Sequence, residues 1–134
     1  MMMMFTSGTT GNPKAVVMPF GQYMLGAYSK AAFGVSDDDV LYTGLSLTHI
    51  NAQTTLRRGL AGPVPVVISR KFTKSRLWDI CRAYGCTVFN LLGGMIPEIY
   101  SVPEQPGDID NPVRLIISAG MPPDLWVEYQ RRFG

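Results

Sequence analysis

Charge is scarce in this 134-residue chain: 16% of its residues are Asp, Glu, Lys or Arg, where a typical soluble domain carries roughly 25%. Such thin polar cover implies that much of the surface is hidden by a partner or that the chain is a piece of something larger. Twelve cations against ten carboxylates leave a net +2. The basic pairs Arg57-Arg58, Arg70-Lys71 and Arg131-Arg132 read as solvated surface, not as a stripe for nucleic acid. Cysteine is scarce too. Cys81 and Cys86 alone cannot build a metal cluster or a secreted disulfide framework, so they read as buried thiols in a reducing, cytoplasmic setting. Apolar runs are short, far from the ~18 consecutive residues of a membrane span. Met1 to Phe5 has no basic start and runs directly into Thr6-Ser7-Gly8, and so reads as too short and wrongly flanked for a signal peptide. With 46% apolar residues over this length, the chain can bury a real core, which excludes disorder.

The hydrophobic period alternates between two and about 3.6. Met1 to Phe5 and Ala15 to Met18 read as strands, and Phe20, Tyr23, Met24, Ala27 and Tyr28 carry a helix from Pro19 to Phe33. A strand is predicted at Val40 to Thr43 and a helix at His49 to Leu60. Pro65 confines the strand at Val64 to Ser69 to an edge or a strand start. Thr73 reads as the N-cap of a helix running to Tyr84 and stopped by Gly85. A strand at Thr87 to Leu92, a helix at Met95 to Val102, a Pro/Gly/Asp loop from Pro103 to Pro112 and a strand at Val113 to Ser118 follow. Pro122-Pro123-Asp124 opens a last helix into Gly134. Strands alternating with helices predict an α/β fold with a mostly parallel sheet.

Phe5-Thr6-Ser7-Gly8-Thr9-Thr10-Gly11-Asn12-Pro13-Lys14 carries the most chemistry. A polyphosphate needs many donors, backbone free to approach it, and a cation. Gly8 and Gly11 permit the approach, Thr6, Ser7, Thr9 and Thr10 supply hydroxyls, and Lys14 supplies the charge. It is not the Gly-x-x-x-x-Gly-Lys-Ser/Thr loop, because Pro13 separates Gly11 from Lys14 and a β-branched run follows. Composition alone is equally compatible with a polar hairpin bearing a solvated lysine.

Thr6-Ser7-Gly8-Thr9-Thr10-Gly11-x-Pro13-Lys14 closely resembles the phosphate-loop signature of the adenylate-forming acyl-CoA synthetases, with Ala15 where that family usually has glycine. The resemblance runs through the whole chain. Ser36-Asp37-Asp38-Asp39-Val40 resembles an acidic turn before a strand, and reads as a solvated turn, since neighbouring side chains diverge and cannot converge on a metal. Leu45-Ser46-Leu47-Thr48-His49-Ile50-Asn51 resembles a segment usually written with proline and an aromatic before the histidine. A lone histidine is more often structural. The resemblance implies instead that His49 stands at the acyl carboxylate and the adenylation centre, and that an amino-acid substrate is disfavoured. Arg114-Leu115-Ile116-Ile117-Ser118-Ala119-Gly120-Met121-Pro122-Pro123 resembles the strand and loop that cradle adenine, which places Ser118, Ala119 and Gly120 beside the base. Asn90-Leu91-Leu92-Gly93-Gly94-Met95 would line the acyl side. Phe89-Asn90-Leu91-Leu92-Gly93, taken with Ser118-Ala119-Gly120-Met121-Pro122, looks most like the crotonobetaine/carnitine-CoA ligase branch.

The resemblance implies a fragment, residues 1–134, of the large N-terminal domain of an adenylate-forming ligase, with the C-terminal lid domain absent. Its substrates would be a small-molecule carboxylic acid, ATP and CoA, with Mg2+, whose ligand belongs to a Tyr-Gly-x-Thr-Glu segment expected after Gly134. No metal ligand is assigned to this chain, and its partner would be the remainder of the parent. By itself it is expected to be inactive. The alternative is a non-catalytic remnant that binds a nucleotide or a partner.

Overall fold

The protein is described from a computed structural model that places residues 1–6, 11–28 and 31–134. The first two strands, β1 (Met2–Thr6) and β2 (Lys14–Met18), pair antiparallel, with Thr6 opposite Lys14 at the mouth of the loop. Pro19 then leads into α1 (Phe20–Tyr28), followed by a short 3-10 turn at Ala31–Phe33 that ends at Gly34 with φ +73°.

From there strand and helix alternate: β3 (Leu41–Thr43), α2 (Ile50–Leu60), β4 (Val66–Ile68), α3 (Leu77–Tyr84), β5 (Val88–Leu92), α4 (Met95–Tyr100), β6 (Leu115–Ala119) and α5 (Pro123–Phe133). The last four strands form a parallel sheet in the order β4-β3-β5-β6. The predicted α/β class and its parallel sheet are therefore observed, and Pro65 sits just before the edge strand β4. Thr73 departs from expectation. Its carbonyl closes a 3-10 turn by accepting from Arg76 N at 3.0 Å, its side chain caps nothing, and the α-helix proper begins only at Leu77. Gly85 ends α3 in the left-handed conformation (φ +62°) that favours glycine.

Alternation along the strands sends side chains to two cores. Tyr42, Phe89 and Leu91 join Leu77, Trp78, Cys81, Ile96, Ile99, Tyr129 and Phe133 beneath α3, α4 and α5. Trp78 stacks on Phe133 with ring centres 4.5 Å apart. Both cysteines are buried and free, as read from their number. Leu41 and Val88, on the opposite face, pack with Val35 and Val64. There α2 lies so close that a Cβ on Gly59 would meet Val66 Cγ2 at 2.1 Å.

Of the basic pairs, Arg70, Lys71 and Arg131 are exposed as expected, but the other three residues are not solvated surface. Arg57 and Arg58 are 5% and 4% exposed, and Arg132 is buried as well. Arg57 lies 3.9 Å from the Tyr23 ring centre and donates to Gln53 O and Thr54 Oγ1, while Arg58 covers the Phe33 ring. A guanidinium is flat and weakly hydrated enough to stack on aromatics where lysine would not. α2 is thus a middle layer between the sheet and α1. Arg132 pins the Pro/Gly/Asp loop by donating to Asp108 Oδ2 at 2.6 Å and Tyr100 O at 2.7 Å.

The acidic turn also divides. Asp37 and Asp38 are exposed, but Asp39 is 2% exposed, which corrects the reading of a wholly solvated turn. Its carboxylate accepts from Ser36 N at 2.7 Å, Thr87 Oγ1 at 2.7 Å and the Arg114 guanidinium. These groups precede β3, β5 and β6, so Asp39 ties together the amino-terminal ends of three strands. Burial by itself would raise the Asp39 carboxyl, but the bonds from Arg114, Thr87 and Ser36 outweigh it and hold it well below the usual carboxylate range. The stabilisation is therefore present above pH ~4 and is lost as pH falls below it. Asp39→Asn should cost about 2 kcal/mol at pH 7, tempered by the half-exposed Arg114, and should flatten the acid limb. Denaturant melts between pH 2 and 7 measure both. An unchanged slope would remove Asp39 from this role.

Candidate active site

Strand order changes direction between β3 and β5. From β3 the chain crosses through α2 to β4 on one side, then through α3 to β5 on the other. In open α/β sheets such a switch point leaves a crevice at the carboxyl ends of the strands, where ligands bind. The segments singled out from β3, β5 and β6 all end at this edge.

After Thr43 the chain passes through Gly44, where a Cβ would meet Tyr42 Oη at 2.7 Å and Ser69 Oγ at 3.0 Å. A tight turn follows in which Ser46 Oγ and Thr48 Oγ1 lie 2.8 Å apart and His49 N donates to Ser46 O. His49 is exposed at the cap position of α2, and its imidazole makes no capping bond. Its place is set one turn on. Asn51 Nδ2 donates to Leu91 O at 3.2 Å, and Asn90 Nδ2 donates to Asn51 Oδ1. These bonds span the switch point and anchor the start of α2 to β5. Asn90 is 5% exposed, and its Oδ1 has no hydrogen-bond partner.

Beyond β5, Gly93 N donates to Ala119 O at 3.1 Å, which joins the ends of β5 and β6. A Cβ on Gly93 would lie 2.6 Å from Ala119 O and 2.7 Å from Gly120 O. Ser118 Oγ donates to Gly120 O at 3.0 Å, and Gly120 turns the chain with φ +93°. Bare backbone at Gly93 and Gly120, with only the methyl of Ala119 at the end of β6, makes a shelf with little side chain, which a flat ring can approach closely. Arg114, from the same resembling segment, lies at the opposite end of β6 in the Asp39 clamp.

Of the phosphate-loop residues, Thr6, Gly11 and Lys14 are among those described. Thr6 and Lys14 face each other across the hairpin, and Gly11 has φ +102°. Ser7, Gly8, Thr9 and Thr10 lie outside the described residues. The hairpin leads through Pro19 into α1, which packs on α2 and so connects the loop to the helix that carries His49.

The Asn51–Asn90 pair and the Asp39 clamp were missed from the sequence. Their only signal was polar residues set in otherwise apolar segments.

A parallel sheet with helices on both faces, a switch point and a glycine shelf at its carboxyl edge define a doubly wound α/β protein. The chain belongs to the family described as AMP-binding enzyme, which it matches over residues 1–134. It is 36% identical to Long-chain fatty acid transport protein 6 of Mus musculus over 134 residues, covering 97% of this chain and 21% of that protein. Long-chain fatty acid transport protein 2 of Rattus norvegicus is 34% identical over the same coverage. The chain thus spans about a fifth of the length of these relatives. Among solved structures, the inhibitor-bound N-terminal domain of FACL13 from Mycobacterium tuberculosis superposes with a TM-score of 0.82 at 27% identity, over 96% of this chain and 33% of that one. O-succinylbenzoate Coenzyme A Synthetase from Bacillus subtilis, in complex with ATP and magnesium ion, gives 0.81 at 25% identity, over 97% of this chain and 27% of that one.

Proposed function

We propose that this chain is the phosphate-and-base half of the large domain of an ATP-dependent acid–CoA ligase, a single partial domain acting in the cytoplasm. The observation that carries the reading is the glycine shelf at Gly93, Ala119 and Gly120, which stands beside the anchored start of α2 that presents His49. ATP would supply the phosphoryl centre on which a carboxylate is activated, and CoA the thiol that receives the acyl group.

The shelf accepts the adenine ring against backbone. His49 offers an imidazole N–H to a carboxylate oxygen, which orients the acid for attack. Lys14 and the hydroxyls of Thr6, Ser7, Thr9 and Thr10 would stabilise the negative charge that accumulates on the phosphate oxygens. Among the described residues no three His, Cys, Asp or Glu side chains converge, and magnesium, which needs only one or two carboxylates beside water and phosphate oxygens, is given no ligand here. No step on this chain is therefore assigned to it.

Two acyl classes stand apart. The names of the relatives quoted above support a long fatty acyl chain. The Phe89 to Gly93 and Ser118 to Pro122 segments resemble the crotonobetaine/carnitine-CoA ligase branch, which would take a short cationic acid. In a longer enzyme carrying this chain, pyrophosphate exchange with palmitate and with crotonobetaine distinguishes them, and a fatty-acid preference is expected. His49→Ala should lower exchange about 10- to 100-fold while ATP affinity changes little. Unchanged exchange would return His49 to a structural role. No exchange with any acid would leave the chain as a non-catalytic, nucleotide-binding remnant.

A further inference from the structure

The positive charge of this protein is concentrated in one place. Of its 12 Lys and Arg residues, Arg70, Lys71, Lys74 and Arg76 fall within seven consecutive positions that contain no carboxylate, leaving eight cations against ten carboxylates elsewhere. Taken without this segment, the chain is acidic.

The segment connects the edge strand β4 to α3, and the fold gathers its cations around a groove. The groove has a volume of about 390 Å³, and Arg70, Lys71 and Arg76 line it together with Ile68, Ile80 and Tyr84. All four cations are exposed. No described ion pair holds any of them, and Lys74 reaches only Ser101 Oγ, at 3.4 Å. The nearest acidic residue on α3, Asp79, is engaged by Arg82 at 2.8 Å. Tyr84 is 64% exposed on the rim, and Ile68 is exposed on the β4 edge.

We propose that this β4–α3 face is a docking surface for the anionic headgroups of a phospholipid bilayer. Three observations favour an extended anionic surface over a single bound phosphate. The cations are distributed along a strand-to-helix connection, and three of them line an open groove. None is buried, so no desolvated cradle exists for a lone anion. Finally, the groove sets apolar side chains and a tyrosine beside the charges, and an amphipathic ring and an aliphatic edge are suited to the headgroup boundary.

The attachment is peripheral, since no helix among the described residues is long and apolar enough to cross a membrane. It is also reversible and salt-sensitive, because charge attraction to lipid decays within a Debye length.

Flotation of the 134-residue chain with vesicles tests this, since bound protein rises with lipid while any self-associated protein sinks. Vesicles containing 30% phosphatidylglycerol should float the protein at low salt, and pure phosphatidylcholine vesicles should not. Raising the salt to 0.5 M should release it. Each cation near an anionic surface contributes about five-fold, so R70E/K71E/R76E should weaken partitioning by roughly 100-fold or more. Arg131→Glu, on the far helix α5, should leave it within about two-fold. The three sites are exposed, and a circular-dichroism melt checks that the triple variant still folds.

Equal binding to neutral vesicles would overturn the proposal, as would binding unaffected by the triple variant. Release by millimolar inorganic phosphate at constant ionic strength would point to a free-phosphate site instead. Tighter binding to a DNA duplex than to anionic vesicles would assign the face to nucleic acid. Loss of vesicle binding in a longer enzyme carrying this chain would show that other protein covers the face, and that too would overturn it.

Discussion

Lys14→Ala, in an enzyme carrying this chain, should slow the adenylation half-reaction by about 100- to 1000-fold. Thioester formation from supplied acyl-adenylate should stay within about two-fold. The asymmetry follows from the chemistry. Charge builds on the phosphate oxygens only while pyrophosphate is leaving, and by the time the thiol attacks, the groups that the loop holds have gone. Lys14 opens β2 directly opposite Thr6, so the hairpin register carries its ammonium group to the mouth of the loop. Thr9→Val removes a hydroxyl from the same segment and should act on the same half. Running both half-reactions on each variant decides the matter. Equal losses in the two would make the loop structural and end its assignment to phosphate.

Gly93→Ala should destabilise the protein by about 2 kcal/mol and weaken AMP binding by more than 10-fold. A methyl there would stand 2.6 Å from Ala119 O and 2.7 Å from Gly120 O, both backbone atoms that cannot swing aside. The ends of β5 and β6 would have to part, and the Gly93 N to Ala119 O bond would go with them. Gly94 is the control: a Cβ there meets nothing within 4 Å, so Gly94→Ala should change stability by less than about 1 kcal/mol. Melting curves and AMP titrations on both variants test this. Full AMP affinity in Gly93→Ala would mean that the shelf is not where the base lies.

Much of this architecture was legible beforehand because it is written in local signals. Alternating periods placed the strands and helices to within a few residues. Pro65 marked an edge strand because it has no N–H to give a ladder, and Gly85 marked the end of α3. The phosphate loop, His49 and the Ser118 to Gly120 turn were visible as motifs because each is contiguous. The errors share a cause. Arg57, Arg58 and Arg132 looked like surface, and Asp39 looked like one of three equivalent aspartates, because charge along a chain says nothing about which aromatic ring or guanidinium will arrive from elsewhere. Thr73 was given a cap by residue type, but the backbone carbonyl closed the turn first.

The sequence by itself determined the α/β class, the resemblance to the adenylate-forming ligases and the residues offered to phosphate, because these depend on periodicity and on consecutive residues. Tertiary structure alone decided the strand order β4-β3-β5-β6, and with it the switch point between β3 and β5. It also decided the Asn51–Asn90 link, the joining of Gly93 to Ala119, and the union of Asp39, Thr87 and Arg114 beneath the sheet. Each of these joins groups 26 to 75 residues apart. Such pairings are selected by the packing of whole elements, in which buried polar groups must find partners wherever the fold brings them.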